Sequence, residues 1–260
     1  MKTSKVWVST VAWTLGALAL WQFAAWWMAV VAKDPLAAKK LPYLQDVFRS
    51  FQENAGYLLS QAGVTLRYAA LGFLIGAAVG ALLALIMRIS GLVERMILPY
   101  LLLSQMIPIL GLAPIIFGLF KSLAAARVVI AAYITFFPVS VSMLGGLKAV
   151  DENRLNLMRA CAATPVQLYT KLLIPYSLPH LFTGMKIAAP VAVSAAVLVD
   201  TLSSQNGIGY VIVLTLYGGG TTGQFWPALL LSALMGLGSM LLISLLGKLC
   251  TPRGLRREAA

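Results

Sequence analysis

Apolar residues gather in long blocks separated by short polar turns, and six blocks are of membrane-spanning length: residues 6–32, 65–87, 97–120, 128–147, 181–201 and 225–249. Each meets the requirement of roughly 20 residues to cross about 30 Å of hydrocarbon. The pattern predicts an all-α polytopic membrane protein with six transmembrane helices. Lys2 and Lys5 precede the first block, but its apolar stretch is far longer than the roughly 7–15 residues of a cleaved signal and carries Trp21, Trp26 and Trp27, so it is read as a span.

Between the first two blocks, Leu44, Val47, Phe48 and Phe51 recur at helical spacing among Asp46, Arg49 and Glu53, which predicts an amphipathic helix lying at the outer surface. The chain then divides into residues 1–64, a first span with that helix, and residues 65–260, a core of five spans. The third block is interrupted by Pro99, Pro108 and Pro114. Internal prolines remove backbone hydrogen bonds, and irregular backbone at membrane depth is tolerated against protein or a water-filled cavity. Ser104, Gln105, Met106, Pro108 and Pro114 are therefore candidates to line a translocation path. In the second block Gly72, Gly76 and Gly80 stack on one helical face, as close helix packing requires. After the fifth block, Gly207-Ile208-Gly209-Tyr210 leads into a run too short to cross a bilayer and then into Gly218-Gly219-Gly220, a re-entrant or docked outer element.

Composition agrees: of 260 residues, 60% are hydrophobic and 11% charged, with a net charge of +12. A basic excess of this size suggests nucleic acid in a soluble chain, but here the loops account for it. With the N-terminus inside, Lys2, Lys5, Arg88, Arg95, Lys148, Arg154, Arg159, Lys171, Lys248, Arg253, Arg256 and Arg257 are cytoplasmic, twelve of the twenty Lys and Arg residues. The positive-inside rule then places both termini in the cytoplasm. Cys161 and Cys250 fall on the reducing side as free thiols. Asp200 is the one acid within a predicted span, which makes it a gate candidate by default, with an interfacial cap as the other reading. The lone His180 has no companions for a metal site.

The internal loop 148–180 is more than a tether. Asp151 can cap a helix through Glu152 to Ala163, and Pro165 fits the first turn of a second helix ending near Ile174-Pro175. Two short helices at a corner make a docking knob.

In this loop the sequence resembles the inner-membrane permease subunits of bacterial ABC importers of the nitrate, sulfonate and taurine type. The resemblance rests on Asn156-Leu157-Met158-Arg159-Ala160-Cys161-Ala162, on Leu172-Leu173-Ile174-Pro175, and on Gly184-Met185-Lys186 beyond them. Leu41-Pro42, Gly63-Val64-Thr65-Leu66-Arg67, Ile107-Pro108 with Ala113-Pro114, and Gly207-Ile208-Gly209-Tyr210 follow in the family's order. Asn156 stands where the family usually has Glu, Ala162 where it usually has Gly, and Asp200 where many relatives carry Glu. The run from Ser104 to Pro108 and Leu157-Met158-Arg159 look most like permeases for pyrimidine vitamin precursors or riboflavin.

The resemblance implies a type I ABC importer permease fold and a subunit that is not itself an enzyme. Asn156, Leu157, Met158, Arg159, Ala160, Cys161, Ala162, Ala163, Pro165 and Pro175 would form the coupling loop that meets an ATP-binding subunit, present in two copies. No G-x-x-x-x-G-K-[ST] loop occurs in the chain, so ATP and Mg would be held by that partner. A second permease, identical or paralogous, would complete the pathway, and an extracytoplasmic solute-binding protein would deliver the solute to this inner-membrane complex. The departures at Asn156 and Ala162 leave open a weakened ATPase contact or its transfer to a non-identical second permease. A proton-coupled secondary transporter working through Asp200 and a membrane-embedded enzyme are the rival readings.

Overall fold

The computed structural model describes residues 2–203, 205–218 and 223–251. Eleven helices follow in order: α1 Lys2–Trp26, α2 Ala37–Lys40, α3 Leu44–Ile89, α4 Gly91–Ser104, α5 Ile109–Phe120, α6 Leu123–Lys148, α7 Glu152–Ala160, α8 Pro165–Leu168, α9 Ile174–Ser203, α10 Ile208–Leu216 and α11 Phe225–Cys250. Short π-helical turns, Trp27–Val31 and Tyr169–Leu173, extend α1 and join α8 to α9. Among the described residues five helical segments are long and apolar enough to span a membrane, and the bent pair α4 and α5, taken as one broken span, makes six. Of the expected features, Gly219, Gly220, Arg253, Arg256 and Arg257 lie outside the described residues.

The chain forms two compact units. One comprises Met1–Leu59 with Val211–Leu229, the other Ser60–Tyr210 with Leu230–Ala260. In the first unit, α1 and the segment that follows it are clamped by side chains at one end. The Trp21 indole donates to Pro42 O at 3.0 Å, Leu44 N donates to Gln22 Oε1 at 3.2 Å, and the rings of Trp21 and Trp226 meet edge-on at 4.6 Å.

One sequence expectation needs correction. The amphipathic helix before the second span is not a separate surface element, because α3 runs unbroken for 46 residues, about 69 Å at 1.5 Å per residue. No proline interrupts residues 44–89, and Gly56 and Gly63 sit in open space, so nothing stops the helix where its composition changes from polar to apolar. The expected boundary at 64/65 thus falls inside α3. The third block is interrupted, as its prolines lead one to expect: α4 and α5 meet at 94°. Pro99 and Pro114 are absorbed within helices, and the break falls at Gln105–Pro108, where Pro108 is the extended N-cap of α5.

The core of the second unit is built on close helix contact. A Cβ added at Gly72, Gly76 or Gly80 would lie 2.4, 2.4 and 2.5 Å from the carbonyl oxygens of Val128, Ala132 and Phe136, so the glycine stripe of α3 rests directly on the backbone of α6. Ser140 Oγ donates to Gly80 O at 3.0 Å along the same seam. Small residues serve the neighbouring contacts too: Ala131, Ala188, Ala189 and Ala192 pack with Phe73 and Val139 in one buried cluster.

Candidate functional site

The helix pair at 151–173 is set by local chemistry. Asp151 caps α7, its carboxylate accepting from Asn153 N, and Thr164 caps α8 in a capping box with Gln167. Helix α7 ends three residues earlier than the sequence suggests. Ala162 N donates to Arg159 O at 2.9 Å and Ala163 N to Met158 O at 3.0 Å, the two bonds of a Schellman turn, with Ala162 at φ +50° in the left-handed position. Glycine is the residue that takes this conformation without strain, which gives the usual glycine at this position a physical reason.

The second short helix does not end at Ile174-Pro175. The π turn carries α8 into α9, with Ile174 N donating to Tyr169 O, and the widened turn makes room for the Pro175 ring, whose clash would otherwise break the helix. Pro175 is therefore a partly buried member of the continuous element, whereas Asn156, Leu157, Arg159, Ala160, Cys161, Ala162 and Pro165 are exposed, and Met158 and Ala163 are half-buried. Leu157 is 64% exposed and Val166 71%, so the pair presents apolar side chains outward. Its inner side is anchored: Leu155, Leu168, Tyr169 and Tyr176 pack against the buried cluster of Leu147, Val150 and Leu173, and the Arg154 guanidinium lies over the Tyr176 ring, 5.3 Å from its centroid.

Of the pathway candidates, Gln105, Met106 and Pro108 at the α4/α5 bend and Pro114 on α5 are exposed. Ser104 is half-buried, its hydroxyl donating to Leu101 O at 2.7 Å while its carbonyl accepts from the Tyr133 hydroxyl.

Asp200 lies elsewhere, in an internal polar node. Its side chain is 0% exposed, and Arg127 Nε donates to its Oδ1 at 2.5 Å. Thr65 Oγ1 donates to Oδ2 at 2.6 Å, and Gly209 N reaches the same oxygen at 3.4 Å. Arg127 Nη2 also donates to Asn206 O and Oδ1, at 2.6 and 2.9 Å, and its guanidinium lies 5.2 Å from the Tyr68 ring centroid. Ile208 N donates to Thr65 Oγ1 at 2.9 Å, and Gly207 N to Gln61 Oε1 at 2.7 Å. Helices α3, α6, α9 and the turn into α10 therefore meet on one carboxylate. The turn needs its glycines: Gly207 has φ +101°, and a Cβ there would fall 2.2 Å from Asp200 Oδ2, while one at Gly209 would fall 2.2 Å from Val197 O.

Asp200 thus has a buried basic partner in Arg127, which stands just before the fourth predicted span at 128–147 and was not singled out from the sequence. Burying one charge so deeply requires a counter-charge and hydrogen bonds. Sequence reasoning also missed Gln61 and Asn206, although Thr65 and Gly207-Ile208-Gly209-Tyr210 stood out as motifs. The signal was the isolated acid itself: among nearby apolar runs, Arg127 was the cation able to neutralise it.

The chain is thus a polytopic helical protein with a broken third span and an exposed helix pair anchored on its inner side. Residues 72–253 match the family described as binding-protein-dependent transport system inner membrane component, and the chain belongs to that family. It is a multi-pass inner-membrane permease subunit of an ABC importer, with the type I importer permease fold. The formylaminopyrimidine transport permease protein ThiX of Halalkalibacterium halodurans is 33% identical over 204 residues, 76% of this chain and 81% of that one. The nitrate import permease protein NrtB of Synechococcus elongatus is 24% identical, over 90% of this chain and 86% of its own length. An inward-facing structure of the MetNI methionine ABC transporter matches with a TM-score of 0.59 at 20% identity, covering 75% of this chain and 94% of that one. Membership sets aside the proton-coupled carrier and the membrane-embedded enzyme.

Proposed function

We propose that this permease carries a pyrimidine-type vitamin precursor, and that the helix pair α7 and α8 is the surface on which a separate ATP-binding subunit docks. The observation that carries the docking is the combination of exposed Leu157, Arg159 and Val166 with a partly buried underside of Leu155, Leu168 and Tyr169 packed on the core. A knob that is apolar outward and anchored inward can pass on a displacement, whereas a flexible loop would absorb it. ATP and Mg belong to two copies of the ATPase. Both termini and the helix pair then face the cytoplasm, a solute-binding protein meets the opposite face, and a second permease completes the path beside Ser104, Gln105, Pro108 and Pro114. The pyrimidine assignment draws on the 33% identity to the formylaminopyrimidine permease. It also fits the Arg127–Asp200 pair, in which the buried guanidinium is already neutralised and is not offered to a strong anion.

The test is affinity purification of the full chain from its native membrane in mild detergent, with mass spectrometry of what stays bound, and uptake of labelled formylaminopyrimidine in the same cells. The expected result is recovery of an ATPase and uptake that a sulfonate does not compete. The double variant Arg159→Glu with Ala160→Glu should insert normally but lose coupled uptake. Normal uptake by that variant would remove α7 from the docking surface.

A further inference from the structure

A cleft of about 540 Å³ in the first unit is lined by Lys39, Asp46, Val47, Leu216, Phe225 and Trp226, among others, between α2, the start of α3, the end of α10 and the start of α11. This volume lies within the range of small-ligand sites. We propose that the cleft binds the phosphoethanolamine headgroup of a membrane lipid, Lys39 taking the phosphate and Asp46 the ammonium.

The charges support a zwitterion. Lys40 is occupied, since its Nζ donates to Asp34 Oδ2 at 2.5 Å, and that bond holds the Asp34 carboxyl below its usual range. Neither Lys39 nor Asp46 belongs to any of the four ion pairs among the described residues, and they do not pair with each other. Two unpaired opposite charges on one cleft match a ligand that carries both, separated by a short linker, and each contact would be a charge-assisted hydrogen bond.

The position supports a lipid as the source. The spanning segment Phe225–Cys250 begins at the cleft, and Trp21 of the spanning segment Ser9–Val31 meets Trp226 there edge-on. Further along α1, Trp26 and Trp27 are 44% and 50% exposed, as in the aromatic belts found at headgroup depth. The Trp226 indole donates to Lys39 O at 3.4 Å, fixing α2 over the site. Exposed Leu20 and Phe23, three positions apart and so on one face of α1, offer apolar surface for acyl chains.

The full chain in detergent micelles, given equal amounts of phosphatidylethanolamine, phosphatidylglycerol and phosphatidylcholine, would be read by native mass spectrometry. Phosphatidylethanolamine should be retained preferentially. Asp46→Asn should erase that preference by about tenfold while phosphatidylglycerol stays bound, and Lys39→Gln should lower both. Both side chains are exposed, so neither substitution opens the core, and elution volume on size exclusion checks the fold. Unchanged retention in both variants, or no preference in the unaltered protein, would overturn the proposal. Displacement of the lipid by an equal concentration of soluble glycerophosphoethanolamine would overturn the membrane source.

Discussion

Replacing Asp200 with Asn keeps the shape of the side chain and removes its charge. In the native node the carboxylate accepts from Arg127 at 2.5 Å and Thr65 at 2.6 Å with no exposure to solvent. The variant leaves the Arg127 guanidinium buried, with Asn206 and the Tyr68 face still among its partners. Breaking one side of a buried pair costs about 3–5 kcal/mol, and the surviving Asn206 bonds argue for the lower end. At about 2–4 °C per kcal/mol for a chain of this size, the melting temperature should fall by about 10 °C. The assay is fluorescence-detected size exclusion of a tagged protein after heating in detergent. The double variant Asp200→Leu with Arg127→Met removes both charges and should recover much of the loss. Uptake should decline in proportion to folded protein. Asp200→Asn melting within about 2 °C of the unaltered chain would refute the structural reading, and lost uptake at undiminished stability would make the charge a gate.

Ala162→Gly should relax the turn after α7: the left-handed residue costs about 1–2 kcal/mol, the added glycine returns about 0.4–1 through the unfolded chain, and exchange of the Ala162 and Ala163 amides should slow about two- to fivefold. Faster exchange at these amides would contradict that strain. Gly76→Ala puts a methyl 2.4 Å from Ala132 O and should destabilise the protein by about 1–3 kcal/mol in the same melting assay. Gly56→Ala, in open space on the same helix, should instead stabilise by about 0.5–1 kcal/mol, and equal effects at the two positions would refute the seam between α3 and α6.

What the sequence made legible follows from the physics that produces each feature. Spans are visible because hydrocarbon demands long apolar runs, and the caps at Asp151 and Pro165 because they act over three or four residues. The glycine spacing at 72, 76 and 80 likewise shows a close helix contact, though not its partner. Continuity was harder to see. Residues 44–64 are polar enough to read as a separate element, yet a helix ends through backbone chemistry, not through a change of solvent. The π turn at 169–173 was invisible for the converse reason: Pro175 reads as a stop, and whether a widened turn accommodates it depends on the tertiary setting. The Asp200 node required four segments that are far apart in sequence, and its basic member was hidden at the edge of an apolar run.

Helix α9 joins the two sites. It starts at Ile174, directly after the π turn that anchors α7 and α8, and runs 30 residues to Ser203, about 45 Å. Asp200 occupies its last turn, where Thr65 of α3, Arg127 of α6 and the turn at 206–209 converge. On the proposed docking, movement of the helix pair would enter one end of a stiff rod whose other end is held by a buried ion pair. Such a node resists independent motion of α3, α6 and α9, so these helices would shift as a body, and α5 would follow it, since Ala113 packs against Ile130 and Ile134 of α6 and Ala195 and Val199 of α9. The placement of the costly charge is thereby accounted for without a solute: it fixes which helices move together.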